Sequence, residues 1–238
     1  MNILSIGNSF SQDAQRYIHK IARADGVDLN THNLYIGGCS LEHHHRNMLS
    51  GNAEYELELN GVGTGFNVSL DEALLNRAWD IITIQQVSTS SMNYETYQPY
   101  LNNLVEYIRE FVPKAKIVIH QTWACEEGSG RLEALGYEKQ IDYHNDIKEA
   151  YDKAAEDIGA DFVIPSGELF QKLINAGISP LHRDKYHATY GTTRYAMGLL
   201  WYAMITGNDI TDNTFSDFDE PVTDEEVAII KKCVKELI

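Results

Sequence analysis

The sequence predicts an α/β protein with about five parallel strands, helices on both faces of the sheet and a small inserted β-hairpin. Two observations support this prediction: short apolar runs alternate with helical patterns along all 238 residues, and the run at residues 81–84 is apolar almost without interruption. Such a run is typical of a strand that is buried on both faces of a parallel sheet. Because no internal repeat or linker divides the pattern, we expect a single domain over residues 1–238.

Strand and helix patterns alternate through the first half of the chain. An apolar run at residues 3–6 leads into a serine-containing turn, and the helical pattern that follows stops near Asp25-Gly26. Further predicted elements are a strand over about 27–36, a helix over 41–49, a glycine-rich hairpin over about 55–68, a helix over about 70–79 and a strand over 81–84. Ser69 begins the helix that follows the hairpin, because a glutamate three residues later gives the spacing of a capping box.

The second half of the chain continues the alternation. Its predicted elements are helices over about 101–112, 137–158, 166–176 and 194–205, strands over 117–119 and 162–164, and a final helix that begins near Thr223. The segment 126–136 contains Gly-Ser-Gly and is predicted to be a loop and a possible lid. The two halves together therefore supply the five parallel strands of the predicted sheet.

Composition limits the possible partners. With 19 Lys and Arg against 35 Asp and Glu, the chain has a formal net charge of -16, which repels nucleic acids and anionic lipid surfaces. No run approaches the roughly 18 apolar residues of a membrane span. The first ten residues lack the basic and apolar segments of a secretion signal. The expected location is cytoplasmic as the sequence reads, or extracytoplasmic if an export signal has been removed.

The turn Gly7–Ser11 joins the first strand to the first helix and is the most informative stretch of the chain. In a parallel sheet this turn lies at the carboxyl edge, where ligands bind, so Ser9 is a candidate nucleophile. The other strand ends and the late loop bring Gly38, Gln85, Gln86, residues 121–123, Asp184 and His187 to the same edge. A nucleophile, a base, an orienting carboxylate and hydrogen-bond donors are the groups that acyl transfer requires.

Three short motifs resemble those of the SGNH (GDSL-like) hydrolases. Gly7–Ser11, which reads GNSFS, matches the first block of that family, residues 33–40 look like the second block, and Asp184 and His187 match the DxxH of the last block. The resemblance implies a three-layer α/β/α flavodoxin-like sandwich. It also implies a triad and an oxyanion hole, with the roles given next.

By this resemblance Ser9 is the nucleophile, His187 the base and Asp184 the residue that orients it. The Ser9 and Gly38 N–H groups would bind the oxyanion. The family's third block, usually GxND, is replaced here by Ile-Gln-Gln-Val-Ser at residues 84–88. A glutamine amide can supply the missing donor. Alternation along the strand points Gln85 and Gln86 to opposite faces. Gln86 is slightly favoured as the donor, Gln85 is the alternative and Ser88 is a third candidate.

The resemblance implies a serine esterase acting on short-chain, acetyl esters of a small molecule or carbohydrate. Glutamine-containing members of the family often act on carbohydrate esters, and Trp123 could stack on a sugar ring as a substrate-binding residue. An acyltransferase with the same triad is an alternative. A non-catalytic small-molecule binding module is another, although no glycine-rich phosphate-binding loop supports it.

Each candidate also has a structural interpretation. Ser9 could cap a helix, Gly38 could permit a tight turn, and the two glutamines could satisfy backbone groups. The run His43–His45 does not predict a metal site, because consecutive residues on a helix point about 100° apart. We therefore expect neither a metal nor a cofactor.

Overall fold

The computed structural model describes residues 1–238 and contains one seven-stranded sheet. Its strands are β1 (Asn2–Gly7), β2 (Asn30–Tyr35), β3 (Tyr55–Leu59), β4 (Val62–Val68), β5 (Ile81–Ile84), β6 (Lys116–Gln121) and β7 (Phe162–Pro165). They are arranged in the order β4-β3-β2-β1-β5-β6-β7. The five strands β2, β1, β5, β6 and β7 are mutually parallel and have the flavodoxin-like order. The predicted fold class is therefore confirmed.

The predicted hairpin is present as β3 and β4, and it extends the main sheet. Strand β3 pairs antiparallel with β2, and β4 pairs antiparallel with β3 and forms the sheet edge. Without the hairpin, β2 would expose a row of unpaired backbone groups, which the hairpin satisfies.

Ten helices connect and cover the strands. They are α1 (Ser9–Gln15), α2 (Ile18–Ala24), α3 (Leu41–Ser50), α4 (Leu70–Leu75), α5 (Tyr100–Phe111), α6 (Gly130–Ala134), α7 (Gln140–Ile158), α8 (Ser166–Asn175), α9 (Thr192–Thr206) and α10 (Asp224–Lys235). The capping boxes predicted at Ser69 and Thr223 both form. None of the helices has the combination of length and apolar character needed to cross a bilayer.

Three predicted elements differ from the structure. The first helical pattern is split between α1 and α2 at Arg16 and Tyr17, where the hairpin turn at Gly61 packs against the Arg16 backbone. Helix α4 ends at Leu75, short of the expected boundary near residue 79. The segment 126–136 is not an open loop, because it contains α6 and buries Leu132 in the core.

The hydrophobic core lies in two layers, one on each face of the sheet. Helices α1, α2, α8, α9 and α10 cover one face, and α3, α4, α5 and α7 cover the other. Strand residues alternate between the layers: Ile3 packs in the first, whereas Leu4 and Ile6 on either side of Ser5 pack in the second. The parallel register brings the ends of β1, β2, β5 and β6 to one edge, where the candidate site lies.

Candidate active site

Ser9 is the first residue of α1, but it does not cap the helix. Asn8 is the cap: its side-chain Oδ1 accepts a hydrogen bond from the Phe10 N–H at 3.0 Å, and Ser11 Oγ accepts from the Asn8 N–H at 3.0 Å. The Ser9 hydroxyl is therefore free for another partner. It is half-buried at the carboxyl edge of β1.

That partner is His187. The distance from Ser9 Oγ to His187 Nε2 is 2.9 Å, and His187 Nδ1 lies 2.7 Å from Asp184 Oδ2. Because a carboxylate oxygen accepts hydrogen bonds, Nδ1 donates and Nε2 is left to accept the Ser9 hydroxyl proton. The structure thus brings the three residues into a continuous hydrogen-bonded chain, although 178 positions separate Ser9 from His187.

Asp184 also orders the loop that carries His187. Its Oδ1 accepts hydrogen bonds from the Tyr186 N–H at 3.1 Å and the His187 N–H at 2.7 Å. Partial burial acts to raise the pKa of Asp184, but the His187 side-chain and backbone hydrogen bonds outweigh it and lower the pKa. Lys185, between these residues, has a left-handed backbone with φ of 68°. The carboxylate therefore stays ionised while it holds the loop and the imidazole together.

A buried carboxylate on α1 joins this helix to the loop that carries His187. Asp13 is fully buried, and Arg183 Nη1 donates to both of its oxygens at 2.9 Å. The Ala188 N–H donates to Asp13 Oδ2 at 3.1 Å, and Arg194 Nε donates to Oδ1 at 2.8 Å. Asp13 thus binds the residues on both sides of the Asp184–His187 segment. The sequence prediction missed this residue, whose only signal was an acidic position in an apolar helix pattern.

Two backbone N–H groups at this edge of the sheet have no acceptor within the protein. The Ser9 N–H is the first of α1, where helix geometry leaves no intrahelical acceptor. Gly38 lies in an exposed turn with φ of +65°, and its N–H makes no hydrogen bond within the protein. Asn8 Nδ2 donates to the Cys39 carbonyl at 3.0 Å, which connects the two turns.

Gln86, the favoured third donor, is committed elsewhere. Its Nε2 donates to Thr96 O at 3.0 Å and to Thr96 Oγ1 at 3.1 Å. Its Oε1 accepts from the Leu41 N–H at 3.0 Å and the Val87 N–H at 2.8 Å. The assignment of Gln86 to the oxyanion hole is therefore wrong, because both of its donor positions are directed at Thr96.

Gln85, the alternative, does reach the turn that contains Ser9. Its Nε2 donates to Asn8 Oδ1 at 2.8 Å, and its Oε1 lies 2.6 Å from His120 Nδ1. The second N–H of this amide has no acceptor in the protein. Ser88, the third candidate, is hydrogen-bonded through its hydroxyl to the Tyr186 hydroxyl. Of the three candidates, Gln85 is the residue with a free donor beside the turn that contains Ser9.

The assignment of Trp123 to substrate binding is wrong. Its side chain is fully buried and stacks between Phe10, with ring centroids 4.0 Å apart, and Phe170, at 4.8 Å. No face of the indole is open to a sugar. Trp123 Nε1 instead donates to the Tyr186 carbonyl at 3.0 Å, so this residue supports the backbone next to His187.

The segment 126–136 packs directly on the loop that carries His187. The Glu126 N–H donates to the Lys185 carbonyl at 2.9 Å, and the Arg131 guanidinium lies 3.9 Å from the centre of the Tyr186 ring. The Tyr186 ring in turn lies 4.5 Å from the His187 ring, edge to face. The segment therefore acts as a support for the loop in this structure.

The three consecutive histidines have three separate partners. His43 faces Glu54, buried His44 contacts Tyr55, and His45 contacts Asn103. No group of three or more His, Cys, Asp or Glu side chains in the protein is arranged to hold a metal ion.

A family model described as a domain of unknown function, DUF4886, matches residues 2–235. A search of curated proteins found no match. Among solved structures, a DUF4886 family protein from Bacteroides uniformis is 31% identical to this chain, with a TM-score of 0.92. The alignment covers 99% of this chain and 93% of that protein.

More distant structures share the fold. A protein provisionally described as an SGNH hydrolase, from Slackia heliotrinireducens, is 24% identical to this chain and has a TM-score of 0.62. The alignment covers 86% of this chain and 98% of that protein. The psychrotrophic esterase EstA from Pseudoalteromonas sp., in a structure inhibited by monoethylphosphonate, is 16% identical, with a TM-score of 0.51 over 86% of this chain and 94% of its own. The resemblance to the SGNH hydrolases is therefore confirmed for the fold.

Proposed function

This chain belongs to the DUF4886 family, and on the fold that it shares with the SGNH hydrolases we propose that it is a serine esterase that cleaves acetyl or other short-chain esters of carbohydrates. The observation that carries the proposal is the hydrogen-bonded chain from Ser9 Oγ through His187 to Asp184, with distances of 2.9 and 2.7 Å. A capping or surface role for these residues requires no such chain. A nucleophilic serine does, because its hydroxyl needs a base within hydrogen-bond reach.

The reaction has two steps. Ser9 Oγ attacks the ester carbonyl as His187 Nε2 removes its proton, and the tetrahedral intermediate collapses when His187 returns that proton to the leaving alcohol. Water then attacks the acyl-enzyme by the same route and releases the acid. Asp184 holds the imidazole in the tautomer that can accept at Nε2 and stabilises the imidazolium.

The developing oxyanion is stabilised by three donors in this proposal. Two are the backbone N–H groups of Ser9 and Gly38, which have no acceptor within the protein. The third is the free N–H of the Gln85 amide, in place of the Asn of the family's usual third block. Loss of a single donor of this kind typically costs about 2.7–4 kcal/mol of transition-state stabilisation.

A polar cavity beside α1 supports a carbohydrate as the alcohol component. The cavity measures about 460 Å³ and is lined by Gln12, Arg16, Glu58, Gly61, Val62, Gly63, Tyr190, Arg194 and Asp219. Ser9, Gln12 and Arg16 follow one another at the spacing of one helix face, so the cavity begins about one turn from the nucleophile. Sugar hydroxyls both donate and accept hydrogen bonds, and they suit a wall of mixed amides, carboxylates and guanidiniums.

Covalent labelling tests the proposal directly. An aryl phosphonate that mimics the tetrahedral intermediate is expected to add one phosphonyl group to Ser9, detected by mass spectrometry of the peptide, and to abolish hydrolysis of p-nitrophenyl acetate. Ser9→Ala is expected to remain unlabelled and to lose turnover by at least about 10³-fold. Ser11→Ala is the matched control, because Ser11 lies in the same turn but bonds Asn8 O and Asn33. An unlabelled wild-type protein would indicate a binding module.

Acetate release from a panel of acetylated sugars, compared with p-nitrophenyl acetate, tests the carbohydrate part of the proposal. A higher kcat/KM for an acetylated sugar supports it. Turnover of the aryl ester alone would reject it.

A further inference from the structure

His120 is a buried histidine outside the triad, and its contacts lead toward the oxyanion hole. It lies near the end of β6 and is completely shielded from solvent. His120 Nδ1 is 2.6 Å from Gln85 Oε1, and His120 Nε2 is 3.1 Å from Ser166 Oγ. Burial lowers the pKa of His120 to about 3, so the ring is neutral at physiological pH.

The direction of every hydrogen bond in this chain is determined by one backbone group. The Phe10 N–H can only donate, so the Asn8 atom that it meets is the oxygen, Oδ1, and Asn8 Nδ2 faces the Cys39 carbonyl. Oδ1 can only accept, so Gln85 presents its Nε2 to Asn8. The same amide then presents its oxygen to His120.

The histidine tautomer follows from this order. Gln85 Oε1 accepts, so His120 carries its proton on Nδ1, and its Nε2 accepts the hydroxyl proton of Ser166. The hydrogen bonds therefore run in one series from Ser166 through His120 and Gln85 to Asn8. A reversed Gln85 amide would set its NH₂ group against the Nδ1–H of this tautomer and its oxygen against Asn8 Oδ1, which breaks two bonds at once.

We propose that His120 is a positioning residue that fixes the oxyanion donors through Gln85 and Asn8. This inference rests on the proposed esterase function. His120 touches neither Ser9 nor His187 by a hydrogen bond, and it acts by holding the plane and orientation of the Gln85 amide. Asn8 extends the effect to both turns of the hole, because its side chain caps the helix that begins at Ser9 and binds the carbonyl of Cys39, next to Gly38.

Two substitutions separate positioning from packing. His120→Leu fills the space but cannot donate to Gln85, whereas the amide nitrogen of His120→Asn can take the place of Nδ1. We expect kcat for p-nitrophenyl acetate to fall about 10- to 100-fold in His120→Leu with little change in KM, since displacement of a catalytic group by about 1 Å can cost 100-fold. His120→Asn is expected to recover most of this loss.

His32→Leu is the matched control. His32 is also buried, has a pKa lowered to about 4 chiefly by burial, and lies against Trp79, outside the chain that reaches Gln85. Its replacement is expected to lower Tm but to leave kcat within about twofold of wild type. The pH dependence of kcat/KM is expected to be the same in His120→Leu as in wild type. Equal kcat in His120→Leu and wild type, or no recovery in His120→Asn, overturns the proposal.

A measurement that does not depend on turnover keeps this inference separate from the esterase assignment. In ¹⁵N-histidine NMR spectra, His120 is expected to be neutral and protonated at Nδ1 between pH 5 and 8, and to change its signals in Gln85→Ala. An Nε2-protonated ring would overturn the positioning chain even if Ser9 reacts with the phosphonate. Conversely, Ser9 could fail to react with the phosphonate while the Nδ1 tautomer of His120 is observed. That result rejects the esterase function and with it the positioning role, but it establishes the hydrogen bonds from Ser166 to Asn8.

Discussion

At the residue scale, adjacent glutamines have different tasks because their amides meet different partners. Gln85 reaches Asn8 and His120, whereas Gln86 joins Leu41, Val87 and Thr96. Strand alternation predicts that the two side chains point to opposite sides. It cannot tell which side holds the nucleophile turn, because that depends on contacts with residues distant along the chain.

Alanine substitutions at the two glutamines are expected to differ in their effect on turnover. Gln85→Ala removes the free donor, so kcat is expected to fall about 10²- to 10³-fold. It also leaves the buried Nδ1–H of His120 without an acceptor, which is expected to cost about 1–3 kcal/mol of unfolding free energy. Gln86→Ala leaves the buried Leu41 and Val87 N–H groups without an acceptor, so it is expected to cost about 1–3 kcal/mol of unfolding free energy. Urea denaturation and steady-state kinetics on both variants test this. A larger loss of kcat in Gln86→Ala would contradict the assignment.

Short motifs predicted part of the site and missed the rest for a physical reason. Ser9, Asp184 and His187 lie at a strand end or in a loop, where a few neighbouring residues carry the signal, and the structure brings them together. Trp123 was misassigned because its burial depends on Phe10 and Phe170, which are far from it in sequence. Hydrophobic periodicity predicts that a side chain is buried, but it does not identify the residues against which that side chain packs.

At the element scale, the β3–β4 hairpin does more than extend the sheet. Its turn packs against the end of α1: Arg16 Nη1 donates to the Gly61 carbonyl at 2.8 Å. Glu58, Gly61, Val62 and Gly63 of the hairpin also form one wall of the polar cavity. Alternation with glutamates was sufficient to predict the hairpin itself. Its docking on α1 was not predicted, because the contact connects segments about 45 residues apart.

Gly61→Ala is expected to disturb this contact. Gly61 has φ of +78°, and a Cβ there would lie 2.5 Å from the Arg16 carbonyl oxygen. We expect a loss of about 1–3 kcal/mol in unfolding free energy and a rise in KM that is larger for an acetylated sugar than for p-nitrophenyl acetate.

Gly65→Ala is the control within the same hairpin. Gly65 has a similar φ of +74°, but a Cβ there meets nothing within 4 Å. Gly65→Ala is expected to lose only the free energy of placing an alanine at a positive φ. Its KM is expected to change equally for the acetylated sugar and for p-nitrophenyl acetate. Identical behaviour of the two variants would show that the docked turn is not part of the substrate site.

At the scale of the whole molecule, buried neutral histidines make the fold sensitive to acid. Burial lowers the pKa of His44 and of His120 to about 3. In the unfolded chain histidine titrates near 6.5, so between these values the unfolded state binds more protons and stability falls as the pH falls. Each of these two histidines is expected to cost up to about 2 kcal/mol at pH 5 relative to pH 7.

Neighbouring substitutions on α3 test this pH dependence. His44→Leu is expected to be less stable at pH 7 but to lose less unfolding free energy between pH 7 and pH 5 than wild type. His43→Leu, at a half-buried surface position on the same helix, is the matched control. Urea unfolding at both pH values provides the comparison. If His44→Leu loses as much unfolding free energy between pH 7 and pH 5 as wild type does, the His44 ring does not take up a proton on unfolding.

The overall architecture was the most predictable level, because alternating strand and helix patterns with short connections leave few topologies open. The number of strands in the main sheet was less predictable. It depends on whether β3 pairs with β2, and that antiparallel pairing joins segments that are distant in sequence.

The buried Asp13 carboxylate has a consequence for how activity appears during folding. It joins position 13 to Arg183, Ala188 and Arg194, so the helix that carries Ser9 and the segment that carries His187 dock through one shared carboxylate. A chain whose last quarter is still detached leaves Asp13 without its arginine partners and Ser9 without the imidazole of His187. Turnover therefore returns only when the two ends of the polypeptide have met, however much of the sheet has already formed.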